Sequence, residues 1–306
     1  MNLFSKIGMK VYRMFSRSSS AVNMPDTDSK SQTIDSHLSG NKIPWSLGYH
    51  EYKWKNIEEG INNEQVLDGI RNNSLPVGYG KGIDERVVEY PWLMANLAAG
   101  KKSFLDAGST FNFEEILKVP VIQEKDKYIY TFYPESNNYS KDRISYIYGD
   151  LRNLPFKNNF FQTVVCHSTL EHIDMDNSMY GYELGQIKDK SNKSYEYLKV
   201  IAELERVTEN NGLILLTFPY GVFENHGFFQ QFDKEMVDKM IGHLSLTCKC
   251  EKQFMKYEEE GWKFANENEC DTAFSYNPHT GIGKGTDGAA HSRAICFIKA
   301  IKQIFL

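Results

Sequence analysis

From residue 103 onward the chain carries strand-length runs of apolar, β-branched or aromatic residues beginning at Ser103, Lys127, Ser145, Phe160, Leu213, Leu246 and Ala294. Runs without polar alternation, such as those starting at Phe160 and Leu213, read as strands covered on both faces. Helical periodicity occupies the spaces between them. Residues 195–208 place Leu198, Ile201, Leu204 and Val207 on one face, and 235–244 repeats the pattern. Residues 112–118 form a short helix after the first strand, and Asn210-Asn-Gly212 ends the helix before the fifth. The alternation predicts an α/β sheet of seven strands.

Several strands end in chemistry. The third ends at Gly149-Asp150, and the fourth runs into His167-Ser168-Thr169. In an open parallel sheet ligands lie outside the carboxyl ends of the strands, so these groups would share a crevice. The competing reading is core strands capped by solvated polar residues. The first strand leads to Asp106-Ala-Gly-Ser-Thr-Phe-Asn112, where Gly108 permits a tight turn and the next helix presents free N–H groups. The second strand has no acid near Thr131. Glu135, just past Pro134, is the carboxylate within reach for a vicinal diol; the alternative is a surface glutamate.

Two blocks frame the chain together with these. Gly149-Asp-Leu-Arg-Asn-Leu-Pro-Phe156 precedes an apolar strand and Ser168-Thr-Leu-Glu-His-Ile173, and Glu224-Asn-His-Gly-Phe-Phe-Gln-Gln-Phe-Asp233 follows the fifth strand. With the Asp-Ala-Gly-Ser-Thr form at the first loop, they resemble the class I S-adenosylmethionine-dependent methyltransferases over roughly residues 76–299. The match is closest to a group met in bacterial capsule and surface-glycan gene clusters. The loop departs from the common pattern in having one glycine, with Ser109 and Thr110 in place of others. The resemblance implies a Rossmann-like, mostly parallel seven-stranded sheet with helices on both faces and an antiparallel last strand. It implies S-adenosylmethionine as cofactor, held by Asp106, Gly108, Ser109, Thr110, Asn112, Glu135, Asp150, Leu151, Ser168 and Thr169. Glu135 would take the ribose and Asp150 the adenine amino group.

The loop 224–233 concentrates polar and aromatic side chains at the active-site end. A sugar-like acceptor wants both, although the aromatics could instead pack on the core. Methyl transfer to its hydroxyl profits from a base. His226 is the first candidate and His172 the second, each with an orienting hydrogen bond as the alternative role. Glu171 reads as structural, and no metal cluster is visible. The acceptor expected is a sugar, nucleotide sugar or related glycan. The alternatives are a protein or nucleic-acid methyltransferase of the same fold, and a non-catalytic binding protein that kept the fold.

The N-terminal third is organised differently. Residues 1–16 interleave Leu3, Phe4, Ile7, Val11, Met14 and Phe15 with lysines and arginines, a segment suited to an anionic membrane surface or to packing on its own domain. Residues 17–41 are polar and read as a disordered linker. Aromatics return in 43–73, with a helix near 64–72. Block 76–97 is a glycine-rich turn and an apolar helix that Pro91 should bend or divide. Gly78, Gly80 and Gly82 lack the strand and the Lys-Ser/Thr ending of a phosphate loop. Asp84, Glu85, Arg86 and Glu89 read as a charged face. The division is therefore 1–41, a basic segment and linker; 42–98, covering helices; and 99–306, the methyltransferase domain.

At 306 residues, with 41% hydrophobic and 25% charged residues, the composition is that of a soluble globular protein. A net charge of −5 speaks against nucleic-acid partners. Five scattered cysteines form no disulfide framework and suit a reducing cytoplasm, with contact at the inner face of the membrane through residues 1–17 as an option.

Overall fold

The computed structural model describes residues 27–40, 42–178, 192–278, 280–281, 283–285 and 287–303. The basic segment 1–16 and residues 179–191 lie outside them. Eight strands form one sheet: β1 (Ser103–Ala107), β2 (Asp126–Thr131), β3 (Ile144–Tyr148), β4 (Phe161–His167), β5 (Thr208–Pro219), β8 (Cys248–Glu258), β9 (Gly261–Ala265) and β10 (Ala294–Lys302). Two-residue strands β6 (Glu224–Asn225) and β7 (Gln230–Gln231) pair separately. The order is β3-β2-β1-β4-β5-β10-β8-β9. The first five are parallel, and β10 enters antiparallel between β5 and β8.

This is the expected mostly parallel Rossmann-like sheet with its antiparallel last strand, plus one strand beyond the expected seven. The addition is β9. Glu258-Glu-Glu-Gly261 is a hairpin turn, with Gly261 at φ 111° and β9 paired back on β8. The stretch Asn210-Asn-Gly212 is also inside the sheet. The preceding helix stops at Val207, and β5 already begins at Thr208, with a register shift opposite Phe161 and Thr163.

Helices α1 (Thr27–Ser39), α2 (Tyr49–Ile61), α3 (Glu64–Arg71), α4 (Arg86–Asn96), α5 (Glu114–Leu117) and α6 (Pro120–Gln123) come before β2, and α7 (Tyr197–Val207), α8 (Lys234–Leu244) and α9 (Glu267–Cys270) follow β4. Helices α2 to α4 pack with Val165, Leu215, Ile295 and Phe297 on one face of the sheet. Helices α7 and α8 pack with Val164, Ile214, Leu216 and Ile298 on the other. The alternate residues of each strand thus serve two cores, as a doubly covered strand requires. No helix among the described residues is long and apolar enough to cross a membrane.

Two details depart from the polarity reading. Part of the polar stretch 17–41 is helix α1. His37 is buried there, its Nδ1 3.1 Å from Ser46 Oγ and its ring against Tyr49 and Tyr52. A few buried contacts order a segment whose composition alone looks unstructured. Helix α4 also runs unbroken through Pro91. The missing N–H would have bonded Val87 O, and the Tyr79 hydroxyl donates to that carbonyl instead at 3.2 Å. Gly60 makes room, since a Cβ there would sit 2.4 Å from Tyr79 Oη and 3.0 Å from Pro91 Cγ. The glycine-rich turn before α4 belongs to the same packing. Gly82 N–H donates to Tyr257 Oη and Trp262 N–H to Tyr79 O, so the turn docks on the β8–β9 hairpin.

Candidate active site

The loop after β1 is held by its own acid. Asp106, fully buried, accepts from Thr110 N at 3.2 Å and Phe111 N at 2.8 Å. Burial pushes its carboxyl up to about 7, against the pull of these N–H groups. Asp106 therefore shapes the cradle and has little left for a ligand. Gly108, at φ 132°, is needed by the protein itself: an added Cβ would lie 2.1 Å from Thr169 Oγ1. The ends of β1 and β4 touch through it. Thr169 donates to His167 O at 2.9 Å, and the carbonyl of Thr110 takes the Tyr90 hydroxyl at 2.6 Å. Ser109 sits at φ 61° with its hydroxyl buried and no partner.

At the neighbouring strand ends, Asn112 is buried and fully engaged. Its Nδ2 donates to Glu135 Oε2 at 2.9 Å, and its Oδ1 accepts from Tyr146 Oη at 2.9 Å. It positions Glu135, whose other oxygen lies 3.4 Å from Thr131 Oγ1 and whose carboxylate also has the Ser109 hydroxyl beside it. Burial raises the Glu135 carboxyl, with Asn112 opposing. Asp150 is paired with Arg152 through Nε at 3.0 Å and Nη2 at 2.6 Å. Burial opposes ionisation there, but the guanidinium bonds prevail and hold it below the ordinary range. Leu151 is buried in the core behind it. Exposed rings of Phe132, Tyr133 and Tyr148 flank these carboxylates. An oxygen acceptor, a partnerless buried hydroxyl and exposed rings along one sheet edge fit a nucleoside-bearing cofactor.

The ends of β4 and β5 hold a group that polarity alone concealed. Glu89 of α4 is fully buried and accepts from Ser168 Oγ at 2.6 Å, Thr217 Oγ1 at 2.7 Å and Arg86 Nη1 at 3.0 Å, with His167 Nε2 at 3.1 Å. Burial alone would protonate it; His167, Arg86 and the Ser168 hydroxyl bond outweigh that and hold it well below the ordinary carboxyl range. Ser168 is thus tied to the covering helix. Asp84 is buried against Lys53 Nζ at 2.8 Å and the Tyr49 hydroxyl at 3.0 Å, and Glu85 against His291 Nε2 at 3.1 Å. These acids are a buried network, not a solvated face. The sequence did carry a signal: Glu89 interrupts Val87-Val-Glu-Tyr-Pro-Trp92, where a solvated acid has no place.

Glu171, read from sequence as structural, is buried with Oε2 unpartnered, and burial pushes it up to about 8. His172 Nδ1 lies 2.7 Å from Phe228 O. In the loop 224–233, Phe229, Gln230, Gln231 and Phe232 are buried and serve packing, with Gln231 Nε2 donating to Val222 O and Ala273 O. That leaves Glu224, Asn225, His226 and Phe228 partly open. His226 Nε2 is 2.8 Å from Ser275 Oγ and 3.4 Å from Glu224 Oε2, and its ring stacks on Phe229 at 4.6 Å. His172 and His291 stand 6.2 and 5.9 Å from the same ring. The structure thus brings the two predicted histidines together and adds a third, His291.

Residues 126–216 match a family described as Methyltransferase domain. No curated protein matches the chain by sequence. Similar solved structures include a 1,6-didemethyltoxoflavin-N1-methyltransferase of Burkholderia thailandensis, 9% identical over 92% of this chain and 94% of that one, at a TM-score of 0.42. A SAM-dependent methyltransferase of Thermotoga maritima is 10% identical over 82% and 100%, at 0.40. Phosphoethanolamine N-methyltransferase 2 of Haemonchus contortus is 13% identical over 68% and 50%, at 0.41. These overlaps are loose, and the strand order carries the fold. That order, with the cradle at the β1–β3 ends and the methyltransferase domain matched over 126–216, gives the chain the Rossmann-like fold of the class I methyltransferases and fits S-adenosylmethionine as its cofactor.

Proposed function

We propose that this enzyme methylates a hydroxyl of a sugar, nucleotide sugar or related glycan seated beyond the ends of β4 and β5. One observation carries the reading: Glu85 Oε2, Glu171 Oε2, His167 Nδ1 and His291 Nδ1 are all buried there without a protein partner. Such atoms are costly unless a ligand or water meets them. The lining is also close to neutral. Asp84 and Glu89 are matched by Lys53 and Arg86, Glu85 is paired with His291, and burial holds Glu171 toward its protonated form. A neutral pocket rich in donors and acceptors suits a polyol better than a charged acceptor. The resemblance of the Glu224–Asp233 block to enzymes of surface-glycan gene clusters points the same way.

The cofactor supplies a methyl group already activated on a sulfonium. Glu135 would accept the ribose hydroxyls, Asp150 the adenine amino group, and the Ser109 hydroxyl would gain its missing partner. Catalysis then needs the acceptor oxygen held in line at roughly 3–3.5 Å. His226, clamped between Ser275 and Glu224, orients the loop 224–233 against the segment before β10. The test is methyl transfer to a panel of UDP- and GDP-sugars and methyl glycosides. H226A should bind S-adenosylhomocysteine as the parent does and lose turnover on whichever sugar is methylated. Transfer to peptides or nucleic acids and to no sugar would refute the reading.

A further inference from the structure

We propose that His291 is the catalytic base for the acceptor hydroxyl, taking the proton at Nδ1, with Glu85 as the residue that positions its ring. The inference rests on the reading of this pocket as the acceptor site.

The geometry singles out this imidazole. His291 comes from the segment before β10, and Trp45, Phe229 and Tyr276 enclose its ring with centroids at 6.5, 5.9 and 6.2 Å. Its Nε2 is fixed by Glu85 Oε1 at 3.1 Å, and its Nδ1 is buried with no protein partner. The other imidazoles are placed differently: His226 Nε2 bonds Ser275, His172 Nδ1 bonds Phe228 O, and His167 Nε2 accepts from Arg86 Nη1 at 2.7 Å, which leaves its unpartnered Nδ1 carrying the proton and not a lone pair. Glu85 is the residue before α4, on a backbone anchored by the neighbouring Asp84–Lys53 pair. With Nε2–H donating to Glu85, the Nδ1 lone pair points to a ligand, the arrangement of a base oriented by a carboxylate.

The step balances. The acceptor oxygen bonds to the methyl carbon, the C–S bond breaks with its electron pair staying on sulfur, and the acceptor proton passes to Nδ1. The imidazolium is neutralised by Glu85 and later releases the proton to water. Around the pair, Asp84 and Glu89 favour the added proton, Lys53 and Arg86 oppose it, and Tyr276 packs beside the ring. Burial lowers His291 to about 4, so the imidazole waits in its neutral form to take the proton, while burial raises the Glu85 carboxyl.

The experiment uses the full chain with 15N-labelled histidine. The His291 signal, identified by its loss in H291N, should show the Nε2–H tautomer at neutral pH, and E85Q should shift both it and its titration. S-adenosylhomocysteine binding by calorimetry should stay within twofold in H291N, H291Q and E85Q, showing folded cofactor sites. On whichever sugar of the panel is methylated, H291N and H291Q should lose roughly a hundredfold in kcat with KM little changed. E85Q should move the acid limb of the pH–rate profile. Turnover by both His291 variants within threefold of the parent overturns the base, as does a tautomer indifferent to E85Q. If cofactor binds but no sugar is methylated, the acceptor reading falls first and this inference with it.

Discussion

Replacing Glu89 by glutamine probes the joint between covering helix and sheet. The carboxylate joins α4 to the ends of β4 and β5 through Ser168, Thr217, Arg86 and His167. Glutamine keeps the volume and one acceptor oxygen, which can retain the two hydroxyls. Its NH2 then confronts Arg86 and His167, and the guanidinium loses its counter-ion. Removing one partner of a buried pair costs about 3–5 kcal/mol. Arg86 keeps 29% of its side chain exposed, so the lower end, about 3 kcal/mol, is expected. Denaturant unfolding followed by tryptophan fluorescence reads this out, since Trp92 of the same helix is fully buried. The pH dependence has a definite sign. The folded carboxyl is depressed, so its stabilisation is present above the unfolded value near pH 4.3 and is lost as pH falls toward the folded value. The gap between parent and E89Q should narrow below about pH 4. A loss under 1 kcal/mol at pH 7, or a gap that widens in acid, would refute the account.

Glu135→Ala should weaken S-adenosylhomocysteine binding by about 1–3 kcal/mol in calorimetry, the cost of losing charge-assisted hydrogen bonds to the ribose. Because burial raises Glu135 and only its ionised form accepts from both hydroxyls, parent affinity should climb with pH through that raised value and lie flat in E135Q. Gly108→Ala forces a Cβ to 2.1 Å from Thr169 Oγ1 at φ 132° and should cost about 2–4 kcal/mol in denaturant unfolding. Adding T169G should recover part of the loss, whereas equal single and double mutants would show that the clash is not its source.

What was legible in the sequence was what the backbone dictates locally. Val164, Val165, Cys166 and their neighbours form an uninterrupted apolar run because both faces of β4 are covered, so strand, position and polar terminus could be read together. The periodicity of 235–244 likewise gave helix α8, which the structure starts at Lys234 with Asp233 accepting from Met236 N. The hidden features depend on what sits across a gap. Pro91 looked like a break because its substitute donor, Tyr79, lies twelve residues upstream on another turn. Asp84, Glu85 and Glu89 looked solvated because their partners, Lys53, His291, Ser168 and Thr217, come from four separate segments. His226 looked like the base because its loop is polar, yet polarity does not tell a side chain facing a ligand from one stapling two loops. Ser275, its partner, lies beyond β8 and β9. The distinction rests on unmet hydrogen-bonding capacity, which is a property of three-dimensional surroundings. His291, the proposed base, has a buried Nδ1 with no protein partner, and His226 has its Nε2 on Ser275; in sequence the two are the same residue type.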